Sequence, residues 1–529
     1  MKKPRWLTMR KKSDPELPMR TPIPFIHNYS NGEYLYEQTP RDKLIERTIY
    51  READEECRKH GLDRRSFLAS TMGMMTSLSV INSISGCSGG GSGGAEMTNT
   101  GGFQTSSDCE EGAGLIDGQD YFVFDMQTHH VNATEEYRTR NPLLYNAVPL
   151  VFPGGTCEVG MNTNDCLDFE RYVQLVFMES DVTMAVLSGF AQENCAYIEQ
   201  GVCGSLIEND VMAQERDRVN AAANHTQRMI NHCNVVPNSN LPWQLDEMQN
   251  IAENYGVIGG WKLYTGWRPA GGQGWFMDDP EVGIPVIEQG ISLGVNTFCV
   301  HKGPPLVGFD NVYNDSRDMG VVAKAYPNAN FVVYHTGLGF VNPETGASGG
   351  VGTPYDPNLN AGTDNVIKAL EDNGLGQGSN LYAELGSLWA SVMSDAVAAQ
   401  HLVGKLLKHF GDDNVLFGSE CIWFVSPQPQ IEAFLALEIS KEFQEQYGYP
   451  ELTEERKRKV LGLNAAKLYG IDPCERRDQI DLSALGLAKT GIDEEMGGRR
   501  WVFNEPLGPT SRREFLAMAR QNLAENRPG

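Results

Sequence analysis

Short apolar runs rich in Val, Ile, Leu and Phe alternate with longer helical patterns through most of the chain, beginning near Asp120. Near-continuous apolar strands that are separated by helices predict parallel strands buried on both faces. Eight such units within 116–473 predict an α/β fold, a (β/α)8 TIM barrel rather than an open sheet. The eight runs are YFVFDMQ, VTMAVLSG, HCNVVPN, GVIGGWKLY, VNTFCV, NFVVYH, NLYAEL and NVLFGSE.

Polar residues follow several of these runs directly. His129 follows the first run, His301 ends the fifth, His335 ends the sixth and Glu420 ends the eighth. A barrel keeps its functional groups at the carboxyl ends of its strands, so these four side chains are expected at one mouth. Any one of the histidines alone would more often be structural. Together, imidazoles and a carboxylate are ligands suited to zinc, manganese or iron.

These strand ends, with VVYHTG, VLFGSE and the closing KVLGLNAAKLYGID, resemble the amidohydrolase superfamily over roughly Asp120 to Pro473. The resemblance is closer to the amidohydrolase-related branch, which contains metal-dependent hydrolases and the aminocarboxymuconate-semialdehyde and hydroxybenzoate decarboxylases. It implies a metal-dependent hydrolase that cleaves an amide, ester or lactone bond with activated water. A metal-dependent decarboxylase of a small aromatic acid is the alternative, and a non-catalytic, surface-tethered binding protein is a second one.

Two positions depart from the pattern of the family. The family opens with Asp-x-His-x-His, and here Gln127 stands at the first histidine position, on the same strand face as His129. Glu420 stands at the eighth-strand aspartate and is one methylene longer. By the resemblance, His129 and His301 hold one divalent ion, zinc before manganese or iron, with Gln127 and Glu420 as weaker ligands.

The resemblance also implies roles for the remaining residues. His335 would act as acid/base or polarise the substrate, and Glu420 would accept the proton of the attacking water. Lys262 ends the fourth strand, where some superfamily members carry a carbamylated lysine that bridges two metals. A lysine in a salt bridge, or one that binds a substrate carboxylate, is favoured here. Trp423 follows the Glu420 strand end and would line an aromatic pocket or pack in the barrel.

The first 115 residues have features of export. Residues 1–62 form a long charged leader, disordered or helical, and 63–87 resemble a twin-arginine signal that begins with DRRSFLAS. The signal ends in ISGC, which is similar to a lipobox whose Cys87 would be lipidated. The Gly/Ser-rich segment 88–115 would then serve as a flexible tether. The expected location is periplasmic, or membrane-anchored through lipid.

The formal net charge of −25 argues against a surface that binds nucleic acid or an anionic membrane. The expected partners are a small-molecule substrate, the export machinery and, through a lipid anchor alone, the membrane. A homodimer is a further expectation, because the extension 474–529 could pack across a subunit boundary. Ser511 and Glu514 have the spacing of a capping box, which predicts a helix near the end of that extension.

Two close cysteine pairs lie in polar stretches that are typical of loops. Cys157 with Cys166, and Cys195 with Cys203, would close short disulfides in an oxidising compartment, and free thiols are the equal alternative.

The export hypothesis predicts that a Lys pair cannot replace the arginine pair. Arg64→Lys with Arg65→Lys is expected to leave the protein in the cytoplasmic fraction, whereas Cys87→Ala should release it from the membrane without blocking export. Fractionation and immunoblotting measure both. An unchanged distribution of the Arg64→Lys, Arg65→Lys variant would rule out the twin-arginine route.

Overall fold

The chain divides into two compact units, Met1–Phe103 and Gln104–Gly529. The predicted lipidation residue Cys87, the linker and the four loop cysteines lie outside the described residues. The computed structural model describes residues 47, 49–51, 53, 68, 121–132, 134, 167–190, 206–473 and 508–525, without positions 224, 257, 270, 271, 307 and 425.

Eight parallel strands form one sheet in chain order, and this arrangement confirms the predicted (β/α)8 barrel. The strands are β1 Val123–Thr128, β2 Val182–Ser188, β3 Met229–Val235, β4 Ile258–Leu263, β5 Thr297–His301, β6 Asn330–Tyr334, β7 Leu381–Glu384 and β8 Val415–Leu416.

Helices separate the strands along the chain and continue after the last one. They are α1 Phe169–Val173, α2 Asn209–Ala222, α3 Leu241–Asn254, α4 Gly283–Ser292, α5 Arg317–Ala325, α6 Gly362–Asp372, α7 Leu388–Val392, α8 Ala396–Phe410, α9 Gln428–Ala436, α10 Lys441–Tyr447, α11 Glu454–Arg458, α12 Asn464–Tyr469 and α13 Arg512–Glu525.

The strands are apolar throughout because each buries both faces. In β5, Phe298 and Val300 belong to the hydrophobic cluster that also contains Val286 and Ile287 of α4. Cys299, between them, belongs to a second cluster made mainly of alternate strand residues. Successive side chains of a strand point to opposite faces, so the strand faces the helix layer with one set and the barrel interior with the other.

Local signals set where the helices begin and end. Asp395 precedes α8, and its side chain accepts the N–H groups of Val397 at 2.9 Å and Ala398 at 3.1 Å. Gly411 ends the helix with a φ of 83°, which a residue with a side chain rarely adopts. An N-cap acceptor and a glycine stop therefore fix the long helix that leads into β8.

Hydrogen bonds between β1 and the chain after β8 close the barrel. The N–H of Met126 donates to the carbonyl of Phe417 at 2.9 Å, and the N–H of Glu420 donates to the carbonyl of Gln127 at 2.9 Å. The buried carboxylate of Asp125 accepts the N–H of Ser419 at 2.9 Å and its hydroxyl at 2.5 Å. This closure seam, residues 125–129 against 417–422, places Gln127 beside Glu420.

A buried polar chain crosses the barrel interior from the closing helix. Tyr334 Oη donates to the carbonyl of Met126 at 2.6 Å, so it accepts the Nδ1–H of His232 at 2.8 Å. His232 Nε2 then accepts the hydroxyl proton of Tyr469 at 2.6 Å. These bonds satisfy every polar atom of the His232 ring and attach α12 to the strands.

The C-terminal helix α13 packs against the barrel helices. Phe515 is buried in the main cluster, and Asn522 Oδ1 accepts the N–H of Ala396 at 3.1 Å. Ser511 Oγ accepts the N–H of Glu514 at 3.3 Å, as the capping-box spacing predicts. A search of the described residues for a helix with the length and apolarity of a membrane span found none.

His232 makes the fold sensitive to acid. Burial and the nearby Lys262 lower the pKa of His232 to about 3, whereas an unfolded histidine titrates near pH 6.5. Below pH 6.5 the imidazole of His232 is protonated in the unfolded chain but not in the folded chain. The free energy of unfolding therefore falls by about 1.4 kcal/mol for each unit that the pH decreases. Urea unfolding between pH 7 and 4 should show this slope.

The variant His232→Gln should be less stable than the parent at pH 7. Its free energy of unfolding should fall less steeply as the pH decreases, by about 1.4 kcal/mol per pH unit. His225→Gln, at an exposed position, is the control and should leave the slope unchanged. Parallel pH profiles for the parent and His232→Gln would contradict the assignment.

Candidate functional site

The structure brings four of the predicted residues together at the carboxyl ends of the strands. Gln127 Nε2 lies 3.1 Å from His129 Nε2, 3.3 Å from His335 Nε2 and 3.3 Å from Glu420 Oε1. His335 Nε2 is also 3.6 Å from Glu420 Oε1. These four side chains, all buried, form what we call the amide cluster. Three acceptors in it share one amide group that has only two protons.

Backbone carbonyls fix the tautomers of the two histidines in the amide cluster. His129 Nδ1 lies 2.9 Å from the carbonyl of Ser188, and His335 Nδ1 lies 2.9 Å from the carbonyl of Gly386. A carbonyl only accepts, so each Nδ1 carries the proton and each Nε2 keeps its lone pair. Burial lowers the pKa of His129 to about 3 and that of His335 well below its usual value. Both rings are therefore neutral near pH 7.

His301, the predicted metal ligand at the end of β5, lies beside His335. Its Nε2 lies 3.1 Å from the carbonyl of Pro304, so this nitrogen carries the proton and donates. Its ring packs edge-on against His335, with 4.5 Å between the ring centroids, and beside Tyr264 and Phe309. The structure thus brings His129 and His335 to the Gln127 amide, and it places the ring of His301 against that of His335.

Lys262 lies in the barrel interior without a hydrogen-bond partner. Its Nζ is 3.7 Å from the ring centroid of Tyr334 and 4.6 Å from that of Tyr264. Burial is the main cause that lowers the pKa of Lys262 to about 7, against the opposing effect of Glu384 and Glu420. Among the described residues, no carboxylate is therefore hydrogen-bonded to Lys262 Nζ.

The predicted tryptophan covers one histidine. The ring of Trp423 stacks on that of His129, with 5.9 Å between centroids and an interplanar angle of 22°. Phe190 meets Trp423 edge-on at 6.2 Å. Aromatic rings therefore form the wall of the site on the His129 side.

Glu384 is a site residue that the sequence interpretation missed. It is the last residue of β7 and fully buried, and its carboxylate accepts the N–H of His335 at 3.0 Å. Burial raises the pKa of Glu384 to about 8, and burial together with Glu384 raises that of Glu420 well above its usual value. The strand-end position that singled out His301 and Glu420 applies equally to Glu384, so NLYAEL contained the signal.

The donor types of the amide cluster fit a divalent cation. Among the described residues, no group of three or more His, Cys, Asp or Glu side chains is arranged to hold a metal. The Gln127 amide nitrogen lies within 3.1–3.3 Å of both imidazoles and the carboxylate. However, Gln127 Oε1 is buried with no hydrogen-bond partner. Two imidazole lone pairs, a carboxylate and a neutral oxygen are a ligand set that zinc, manganese or iron accepts.

Comparison with known proteins identifies one matching family. The family model described as amidohydrolase matches residues 206–471, half of the chain. No curated protein sequence gives a significant match to the chain.

Solved structures with a similar fold include three enzymes of low identity. A Burkholderia multivorans amidohydrolase with bound zinc is 13% identical, with a TM-score of 0.37 over 66% of this chain and 99% of that one. Metarhizium anisopliae IDCase in apo form is 15% identical, with a TM-score of 0.35 over 67% and 99%. Saccharomyces cerevisiae dihydroorotase with 5-fluoroorotic acid is 12% identical, with a TM-score of 0.36 over 66% and 84%. These likenesses say nothing about the activity or ligands of this chain.

The position of Gln127 predicts the effect of restoring a histidine there. Gln127→His replaces a neutral amide by an imidazole between His129 and His335, so zinc should bind about ten-fold or more tightly. Isothermal titration of the chelator-treated protein with zinc measures the affinity. Gln289→His, on α4, is the matched control, and an equal affinity of Gln127→His and the parent would refute the ligand position.

Proposed function

The chain belongs to the amidohydrolase family, and on this premise we propose that it is a metal-dependent hydrolase that cleaves an amide, ester or lactone bond. The observation that supports this proposal most is the convergence of His129 Nε2, His335 Nε2 and Glu420 Oε1 within 3.1–3.3 Å of the Gln127 amide. Two neutral imidazoles and a carboxylate at one barrel mouth can provide the metal ligands and the acid/base group that metal-assisted hydrolysis needs.

The amide cluster would hold one divalent ion, zinc in the first place, through His129, His335, Glu420 and the oxygen of Gln127. When bound, the ion polarises a carbonyl and makes water a better nucleophile near neutral pH. His301, which the family resemblance places among the ligands, would support His335 through the contact between their rings.

Glu420 is the proposed general base and acid. Its carboxylate lies at the cluster, 3.6 Å from His335 Nε2, where it can take a proton from water and give it to the leaving group. Burial and Glu384 raise the pKa of Glu420 well above its usual value. A cation bound at the cluster would lower this pKa and favour the ionised carboxylate.

Lys262 is the proposed contact for an oxygen atom of the substrate. Its Nζ is fully buried without a hydrogen-bond partner, and such a group gains free energy when a ligand supplies an acceptor. Because an amine is suited to a carboxylate, this residue favours the second candidate function, a metal-dependent decarboxylase of a small carboxylic acid. Trp423 and Phe190 would provide the apolar wall for either substrate.

Export by the twin-arginine route, with a lipid anchor at Cys87, remains part of the proposal. The supporting observations are DRRSFLAS and ISGC in the sequence. A homodimer is retained as a proposal for the same protein.

The two central histidines should differ in their effect on metal content. His335→Ala removes a nitrogen that faces the amide cluster, so bound zinc should fall from about one equivalent to less than about a tenth, with loss of turnover. His301→Ala, whose nitrogen donates to Pro304, should keep most of the zinc. Plasma mass spectrometry and a panel of esters, lactones and amides measure the two properties.

His409→Ala, on the outer side of α8 beside Glu371, is the matched control and should change neither. Loss of zinc in His301→Ala with retention in His335→Ala would reverse the ligand assignment. A protein that binds no metal after supplementation would contradict the hydrolase and favour the binding protein.

A further inference from the structure

The chain leaves β6 in a backbone conformation that needs support. His335, Thr336 and Gly337 have φ values of 65°, 39° and 79° in succession. Glycine adopts this left-handed region readily, whereas residues with side chains rarely do. His335 and Thr336 therefore keep this conformation only where neighbouring groups hold them.

Glu384 supplies the groups that hold this turn. Its Oε2 accepts the N–H of His335 at 3.0 Å, and its main-chain carbonyl accepts the hydroxyl of Thr336 at 2.6 Å. Its Oε1 accepts the N–H of Gly386 at 2.6 Å, and the carbonyl of Gly386 accepts the Nδ1–H of His335 at 2.9 Å. The carboxylate is thus part of a closed ring of hydrogen bonds that includes both the main chain and the imidazole of His335.

Two glycines leave space for the carboxylate of Glu384. A Cβ atom at Gly418 would lie 1.7 Å from Glu384 Oε1, and a Cβ atom at Gly386 would lie 2.7 Å from the same oxygen. Gly418 belongs to the closure seam, so the carboxylate is enclosed between β7 and the chain after β8.

We infer that Glu384 is a positioning residue that, by holding Gly386 and the His335 main chain, maintains the tautomer and direction of the His335 ring. With the Nδ1–H committed to Gly386, the Nε2 lone pair faces Gln127 at 3.3 Å. Glutamine at position 384 accepts through one oxygen alone, and its NH2 group would oppose the second backbone N–H. The effect on turnover rests on the proposed function, whereas the effect on the tautomer does not.

The test uses the full chain with 15N-labelled histidine. Two-bond proton–nitrogen spectra report the tautomer of each imidazole, and the His335→Ala variant identifies the His335 signals. In the parent, His335 should be the Nδ1–H form. In Glu384→Gln it should become a mixture of both forms, and kcat should fall about ten- to hundred-fold with KM little changed.

Glu371→Gln is the matched control, because Glu371 Oε1 also lies 2.9 Å from an imidazole nitrogen, Nδ1 of His409. It should alter the His409 signals alone. If Glu384→Gln does not fold, Glu384→Asp, which keeps the charge but is one methylene shorter, carries the same measurement.

A Glu384→Gln protein that is less stable but keeps His335 wholly in the Nδ1–H form would overturn the inference, since Glu384 would then be structural only. A mixture of tautomers in a protein that turns over no member of the substrate panel would support the inference and count against the proposed hydrolase instead. The two failures are therefore distinguishable.

Discussion

Asp125 accepts the N–H and hydroxyl of Ser419, and these two bonds join residues that are 294 positions apart in the chain. They close the barrel between its first strand and the chain after its last. Because Gln127 and Glu420 lie within two positions of these residues, the same bonds bring the amide and the carboxylate together. Loss of the bond from the Ser419 N–H would leave a buried backbone group unpaired, at a cost of about 1–3 kcal/mol. The geometry of the site therefore depends on the closure seam.

The barrel mouth concentrates ionisable groups whose pKa values are shifted by burial. Burial lowers the pKa of the histidines and of Lys262, and it raises those of Asp125, Glu384 and Glu420. Such groups cost folding free energy that apolar residues would not. Their concentration at one mouth is typical of a functional site, where shifted pKa values serve proton transfer or ligand binding.

The sequence allows the barrel and most of the strand-end residues to be predicted. Parallel strands with two buried faces leave a distinct pattern, and the residue that follows each strand is at the mouth by geometry alone. Which of His301 and His335 has a ring nitrogen near the Gln127 amide could not be predicted in this way. It depends on which ring nitrogen meets a carbonyl, that of Pro304 or that of Gly386, and those carbonyls are positioned by turns.

Glu384 shows a different kind of omission. Glu384 ends β7, so its position alone predicts a place at the barrel mouth. The family motif, however, includes only the histidines and Glu420 among the residues named. Its importance is visible only when the carboxylate is seen between Gly386 and Gly418. Contacts that form across three loops, each distant in sequence, are not readable from local patterns.

The zinc site proposed at the amide cluster can be tested with crystals of the full chain grown in the presence of zinc, by anomalous diffraction at the zinc edge. One anomalous peak is expected at roughly 2.0–2.2 Å from His129 Nε2 and His335 Nε2, with Glu420 in contact and the amide oxygen of Gln127 turned toward the peak. An empty map at the barrel mouth, with the Gln127 nitrogen still between the two imidazoles, would contradict the proposed site.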